Sequence, residues 1–159
     1  MKKVKSANAF SLIEILVVIS IIAVLSTLAV VSMQYAKTAS KIAKARHDVD
    51  AIVLAMKLLE NDTGQWPGHQ DVDDVTSSGS NEIWDLAEDR AGLVATDGDF
   101  PGWNGPYMAS IPLDPWGNRY FYDSDYRIGG VNRVVIGSFG PNGVGQNVYD
   151  SDDIYKVLR

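Results

Sequence analysis

Two acidic features of this chain could carry chemistry. Glu14 stands alone in the apolar run Ala9-Phe10-Ser11-Leu12-Ile13-Glu14-Ile15-Leu16-Val17-Val18-Ile19, which continues almost unbroken to Leu25. A charged side chain within a membrane segment costs about 2.5–3.5 kcal/mol on insertion scales for Asp, Lys or Arg at the helix centre, so it marks a partner or a task. The second feature is the loop over residues 138–154, rich in glycine and ending in Asp150-Ser151-Asp152-Asp153. Ordering such a loop costs about 1–2 kcal/mol per residue in backbone entropy. Its three aspartates repel one another unless something positive sits among them. Calcium suits that demand, because it takes about six to eight oxygens from carboxylates, amides and backbone carbonyls in a flexible shell. A solvated acidic turn is the alternative.

Other residue types offer less. His47 and His69 are far apart in sequence and have no second ligand beside them, which argues against zinc. The glycines at 137–145 are followed by no Lys-Ser/Thr pair and open no helix, so they match neither a phosphate loop nor a dinucleotide fingerprint. The serines lack a nucleophile elbow and a base. No constellation supports an enzyme. The formal net charge is −6, and removing Lys2, Lys3 and Lys5 leaves the body more acidic still, which argues against nucleic acid as the main partner. Lys37, Lys41 and Lys44 share one helix face just beyond the apolar run and fit lipid headgroups or neighbouring acids. The absence of cysteine excludes a disulfide framework and thiolate metal sites.

The elements that must position these acids follow from periodicity. Met1-Lys2-Lys3-Val4-Lys5 is a basic start that should stay cytoplasmic, placing the C-terminal part on the far side of a membrane. Phe10 to Met33 is about 24 residues, roughly 36 Å as a helix, enough to span a bilayer core of about 30 Å. The Ala7-Asn8-Ala9 triplet precedes that apolar core, so ordinary signal-peptidase removal fits poorly and the segment should persist. Beyond it, Ile42, Val49, Ile52, Val53, Met56 and Leu59 recur at three- and four-residue steps among charged residues, an amphipathic stripe facing one core. Asn61-Asp62-Thr63-Gly64 supplies the stop. One helix of about 50 residues is expected, half in lipid and half covered by a domain.

Downstream, residues 64–119 are rich in turns, and Asn81–Ala87 is expected to form a short helix capped by Ser80 or Asn81. Strands are expected at Arg119–Tyr122, Arg133–Ser138 and Ile154–Val157, with Tyr126–Val131 linking the first two through Gly129-Gly130. The fold class is therefore α+β: a long N-terminal helix packed on a small antiparallel sheet. Four segments result, at 1–9, 10–33, 34–62 and 63–159.

Phe10-Ser11-Leu12-Ile13-Glu14 resembles the class III leader junction of type IV pilins and type II secretion pseudopilins. Gly105-Pro106-Tyr107, with Ile111-Pro112-Leu113-Asp114-Pro115-Trp116-Gly117-Asn118-Arg119-Tyr120, resembles the signature of major pseudopilins of type II secretion, as does Trp66-Pro67 after the helix. The resemblance implies a pilin-like fold, cleavage between Ala9 and Phe10 by a prepilin peptidase, an N-methylated Phe10, and Glu14 as the assembly acid. Ala9 stands where the family carries glycine, and the family's proline near the middle of the membrane helix is missing around Val31. The physics of assembly is then specific. A new amine at Phe10 of one subunit pairs with Glu14 of its neighbour, cancelling two charges that lipid penalises.

The resemblance also implies calcium in the acidic loop. Phe139 would give a backbone carbonyl and Asn142, where the family has aspartate, a side-chain oxygen. Asp150, Asp152 and Asp153 are the candidate carboxylates. Asp114-Pro115-Trp116-Gly117 reads as a structural turn in which proline and glycine set the backbone and Trp116 anchors it. Implied partners are further copies of the chain in a helical filament, minor pilins or pseudopilins, an inner-membrane assembly platform and, before assembly, lipid. The implied location is the cytoplasmic membrane, crossed once, with assembly into a periplasmic or surface filament. A type II secretion major pseudopilin is favoured. A type IV pilus major pilin for adhesion, motility or DNA uptake, and a monomeric membrane-anchored calcium-binding module, are the other readings.

Overall fold

A computed structural model describes residues 11–72 and 81–158. Two compact units result, Met1–Ala39 and Ser40–Arg159, so the boundary falls inside the expected segment 34–62. The helix α1, Leu12–Thr63, runs through 52 residues, as the periodicity predicts.

In the first unit, every described residue is exposed, and the helix carries an apolar stretch long enough to cross a membrane. Its few hydroxyls are answered locally. Ser20, Ser26, Thr27 and Ser32 donate to the carbonyls of Val17, Ile22, Val24 and Leu28 at 2.8–2.9 Å. Such back-bonding removes the cost of a bare polar group in hydrocarbon.

In the second unit, the remainder of α1 buries Ala45, Val49, Ile52, Val53, Ala55, Met56 and Leu59 along one stripe. From Val49 onward these side chains meet Trp66, Ile83, Leu86, Leu93, Phe100, Ile111, Tyr120, Tyr122, Val134 and Ile136 in one cluster. Fully burying each of the larger apolar side chains contributes about 1.5–3 kcal/mol, so this seam is the main source of the unit's stability. The helix stops at Gly64, which has φ 71° and bonds back to the Glu60 carbonyl at 2.8 Å.

A short ladder of β1 (Gln65–Trp66) and β2 (Gln70–Asp71) follows. The main sheet has β3 (Tyr120–Ile128), β4 (Val131–Ser138) and β5 (Ile154–Val157), all antiparallel in sequence order. Alternation along β3 sends Tyr120 and Tyr122 to the helix, and Phe121 to the opposite face. There Phe121, Tyr126 and Val135 lie beneath Trp84, Phe139 and Tyr149.

Three expectations need correction. β3 does not end at Tyr122; it continues to Ile128, and the link shrinks to Gly129-Gly130, both at positive φ as a two-residue hairpin of mirror-image turn type requires. The strand survives Asp123-Ser124-Asp125 by a bulge, since Asp123 pairs with Val135 but Tyr126 with Arg133. The expected helix at Asn81–Ala87 is absent. Ile83 instead bridges Tyr122 with two backbone hydrogen bonds of 2.8 and 2.9 Å, and a single 3-10 turn forms later at Asp89–Ala91. Finally, Trp116 is only half-buried, and the Asp114 carboxylate anchors that turn. Asp114 Oδ1 accepts the Trp116 and Asn118 N–H groups at 2.9 and 2.8 Å, while Oδ2 accepts the Ser138 hydroxyl at 2.6 Å.

Candidate functional site

Ala9 and Phe10, the expected processing pair, lie outside the described residues. Glu14 lies in the first turn of α1 and is exposed. Its Oε2 accepts the Ser11 backbone N–H at 2.8 Å, and the Ser11 hydroxyl accepts the Ile13 N–H at 3.4 Å. Ser11 and Glu14 thus cap the helix mutually, in the manner of a Ser-x-x-Glu box. The Ser-x-x-Glu spacing that makes this cap is visible in the sequence. A carboxylate at a helix N-terminus also faces the positive end of the helix dipole.

The acidic loop is built from below. Asn118 links the Asp114 turn to it by donating to the Gly140 carbonyl at 3.3 Å, and Ser138 accepts the Gly140 N–H at 3.1 Å. Gly140 has φ 62°, and a Cβ there would come within 2.1 Å of the Asp152 carbonyl oxygen, so glycine is required. Phe139 enters through its ring, stacked on Phe121 at 4.5 Å between centroids.

Asn142, Asp150 and Asp152 come together. Asn142 Nδ2 donates to Asp150 at 2.8 Å and to Asp152 at 2.6 Å, so the amide nitrogen stands between two carboxylates where a cation would sit. The backbone N–H of Asn142 also reaches Asp152, at 3.0 Å. Asn142 Oδ1 accepts the Val144 N–H at 2.6 Å, so a half-rotation of the amide is what would turn its oxygen toward the carboxylates. The two aspartates share a hydrogen bond, which holds Asp150 below and Asp152 above the ordinary carboxylate range. Asp153 stands apart from this trio. Its Oδ2 accepts the Tyr126 hydroxyl at 2.6 Å, while Oδ1 is buried and has no hydrogen-bonding partner. Burial raises the Asp153 carboxyl, against the Tyr126 hydrogen bond and with the charges of Asp150 and Asp152.

Asn142, Asp150 and Asp152 carry the oxygens and the excess negative charge that calcium takes, whereas the buried oxygen lacking a partner belongs to Asp153, outside that trio. His69 is less isolated than its sequence position suggests: Nε2 meets Asp97 at 2.9 Å, and the ring lies 4.1 Å from Phe100.

Residues 32–157 match the family model for protein G of the type II secretion system, and residues 4–30 match the prokaryotic N-terminal methylation motif. The chain belongs to the type II secretion protein G family. It is 26% identical over 151 residues to the type II secretion system core protein G of Pseudomonas aeruginosa strain PAO1, covering 92% of this chain and 94% of that protein. Its fold is similar to the crystal structure of the major pseudopilin from the type 2 secretion system of enterohaemorrhagic Escherichia coli. The TM-score is 0.50 at 21% identity, with 77% of this chain and 90% of the other covered. The pilin-like α+β fold is thereby confirmed. The pseudopilin is a structural subunit rather than an enzyme, membrane-anchored and filament-forming, and it assembles with other pseudopilins and the secretion machinery.

Proposed function

We propose that this major pseudopilin polymerises through α1 after cleavage between Ala9 and Phe10, with Glu14 of one subunit paired to the N-methylated Phe10 amine of the next. The observation that carries the reading is the placement of Glu14: one carboxylate at the start of a 52-residue helix whose first unit is exposed and apolar. Among the described residues, that charge is answered by the neutral Ser11 N–H. A neighbouring ammonium is a stronger partner, because charge-assisted hydrogen bonds are roughly twice as strong as neutral ones. Apolar helices packed laterally exclude water around the pair and sharpen its preference for correct register.

Before assembly the chain crosses the cytoplasmic membrane once, with the lysines of residues 1–5 inside and the domain from Ser40 outside. A prepilin peptidase processes it, and an inner-membrane platform with minor pseudopilins receives it. Calcium in the 138–154 loop, held by Asn142, Asp150, Asp152 and Asp153 with the Phe139 carbonyl, replaces the staple that a cysteine-free exported domain lacks.

The test is expression of the intact chain with its secretion machinery and electron microscopy of sheared material. Glu14→Ala should insert into membrane and yield no fibres. Fibres of normal length from that variant would overturn the pairing.

A further inference from the structure

The β3 bulge holds a second acidic centre, distinct in its residues from the C-terminal loop. Antiparallel pairing of Ile83 with Tyr122 sets Glu82 opposite Asp123, and the bulge brings Asp125 round to them. One oxygen from each of Glu82, Asp123 and Asp125 lies within 4.8 Å of the other two. Glu82 is 9% exposed, and Asp123 is fully buried. Like charges placed directly opposite on adjacent strands destabilise a sheet, and burial magnifies the repulsion. Something must compensate.

Hydrogen bonds do so only in part. Asp123 Oδ1 accepts the Asp125 N–H at 2.8 Å, but Asp123 Oδ2 is buried with no hydrogen-bonding partner. A buried carboxylate oxygen left bare keeps its full desolvation penalty. The Asp123 carboxyl is the one that places an oxygen within 4.8 Å of both Glu82 and Asp125. The rest of the surroundings is rigid. Asn81 donates to Ser124 Oγ on the far side of the bulge, and the Trp84, Phe121 and Phe139 rings pack beside it.

We propose that Glu82, Asp123 and Asp125 form a cation site at the β3 bulge that binds calcium. All three donors are carboxylates, which hard divalent cations prefer and zinc does not require. Three carboxylates at irregular positions suit the flexible shell of calcium better than the strict octahedron of magnesium. The bulge, which interrupts regular pairing between Asp123 and Tyr126, is then a device for aiming ligands. A cation here reinforces the join of the 81–86 segment to β3, where the Ile83–Tyr122 bridge and the Leu86 N–H bond to the Tyr120 carbonyl already hold the edge of the sheet. The site does not depend on the C-terminal loop, so each can fail separately.

The experiment is equilibrium dialysis of the full chain in detergent micelles against calcium, with magnesium as competitor. A variant with Asp150→Asn and Asp152→Asn disables the loop. It should still bind about one calcium per chain, and adding Asp123→Asn should weaken that binding about tenfold or more. No calcium bound to the loop variant, or unchanged affinity after Asp123→Asn, overturns the proposal. Near-UV circular dichroism of the buried tyrosines checks that the variants fold. Should Asp123→Asn unfold the domain, Asp125→Asn in the half-exposed position reads the same loss, and unchanged binding there is equally fatal.

Discussion

Glu14 Oε2 accepts the Ser11 N–H at 2.8 Å, so the acid proposed for assembly also closes the first turn of its own helix. The two roles separate by mutation. Glu14→Gln retains an oxygen for Ser11 but cannot balance an ammonium. It should insert into membrane, keep its helical content and produce no filaments, because each unpaired terminal charge then carries the lipid penalty of about 2.5–3.5 kcal/mol. Ser11→Ala removes only the hydroxyl that accepts the Ile13 N–H, a cap worth about 1 kcal/mol, and should still polymerise. Fibre counts by electron microscopy distinguish these outcomes, and loss of fibres in Ser11→Ala alone would refute the division.

Asp114 is the keystone of the turn that launches β3. It is 4% exposed and receives two backbone N–H groups and the Ser138 hydroxyl, which in turn holds Gly140. Asp114→Ala should destabilise the second unit by about 2–4 kcal/mol, since it leaves buried donors bare. Trp116→Ala should cost less, because that ring is half-buried and meets Lys41 at 5.8 Å. Urea unfolding monitored at the buried tyrosines measures the order, and a larger loss at Trp116 would contradict it.

These residues also show where sequence reading succeeds. The α1 stripe was legible because Ile42, Val49, Ile52, Val53, Met56 and Leu59 repeat at helical spacing, and all are buried but Ile42, which is half-buried. The end of β3 was not, since Asp123-Ser124-Asp125 has poor strand propensity and only a bulge lets it pair. Asn81–Ala87 looked like a capped helix because local signals favour one. The free edge of β3 at Tyr122 outbids them, a tertiary contact no local window contains. In the acidic loop the aspartates were legible by type. Their meeting with Asn142, eight and ten residues away, depends on the reversal at Gly140 and Gly143, both in the left-handed region.

Asn142 tests the loop's charge logic. Asn142→Asp replaces the amide between Asp150 and Asp152 with a third carboxylate. In chelator the variant should melt several degrees below the parent, because repulsion replaces two hydrogen bonds. In millimolar calcium the order should reverse, because a greater ligand charge tightens calcium binding. Scanning calorimetry of the full chain in detergent, with and without chelator, gives both numbers. A variant that melts low in both conditions would show that the amide is structural and that no cation replaces it.

Asp123 gives the stability of the domain a pH dependence opposite to that of an ordinary paired acid. Burial raises its carboxyl, the Asp125 N–H works against that, and the charges of Asp125 and Glu82 push it up again, to about 7. The charged groups facing it are Glu82 and Asp125, with Tyr149, itself raised to about 12 by burial and then by these acids. In the unfolded chain the same carboxyl titrates near pH 4. Between those values the native state holds a proton that the unfolded state has released, so this group's contribution falls as pH rises from about 4 to about 7 and is level above. Other carboxylates, Asp48 among them, slope the other way. Burial would raise Asp48, but hydrogen bonds from Lys44 and Tyr120 outweigh it and hold it low. The difference between the parent chain and Asp123→Asn isolates the one group. In chelator, the parent should lose stability relative to the variant across pH 4–7, measured by urea midpoints. Calcium should flatten that difference, because a bound cation replaces the proton as the source of positive charge. A flat difference in chelator would mean that Asp123 is ionised in the native state without help.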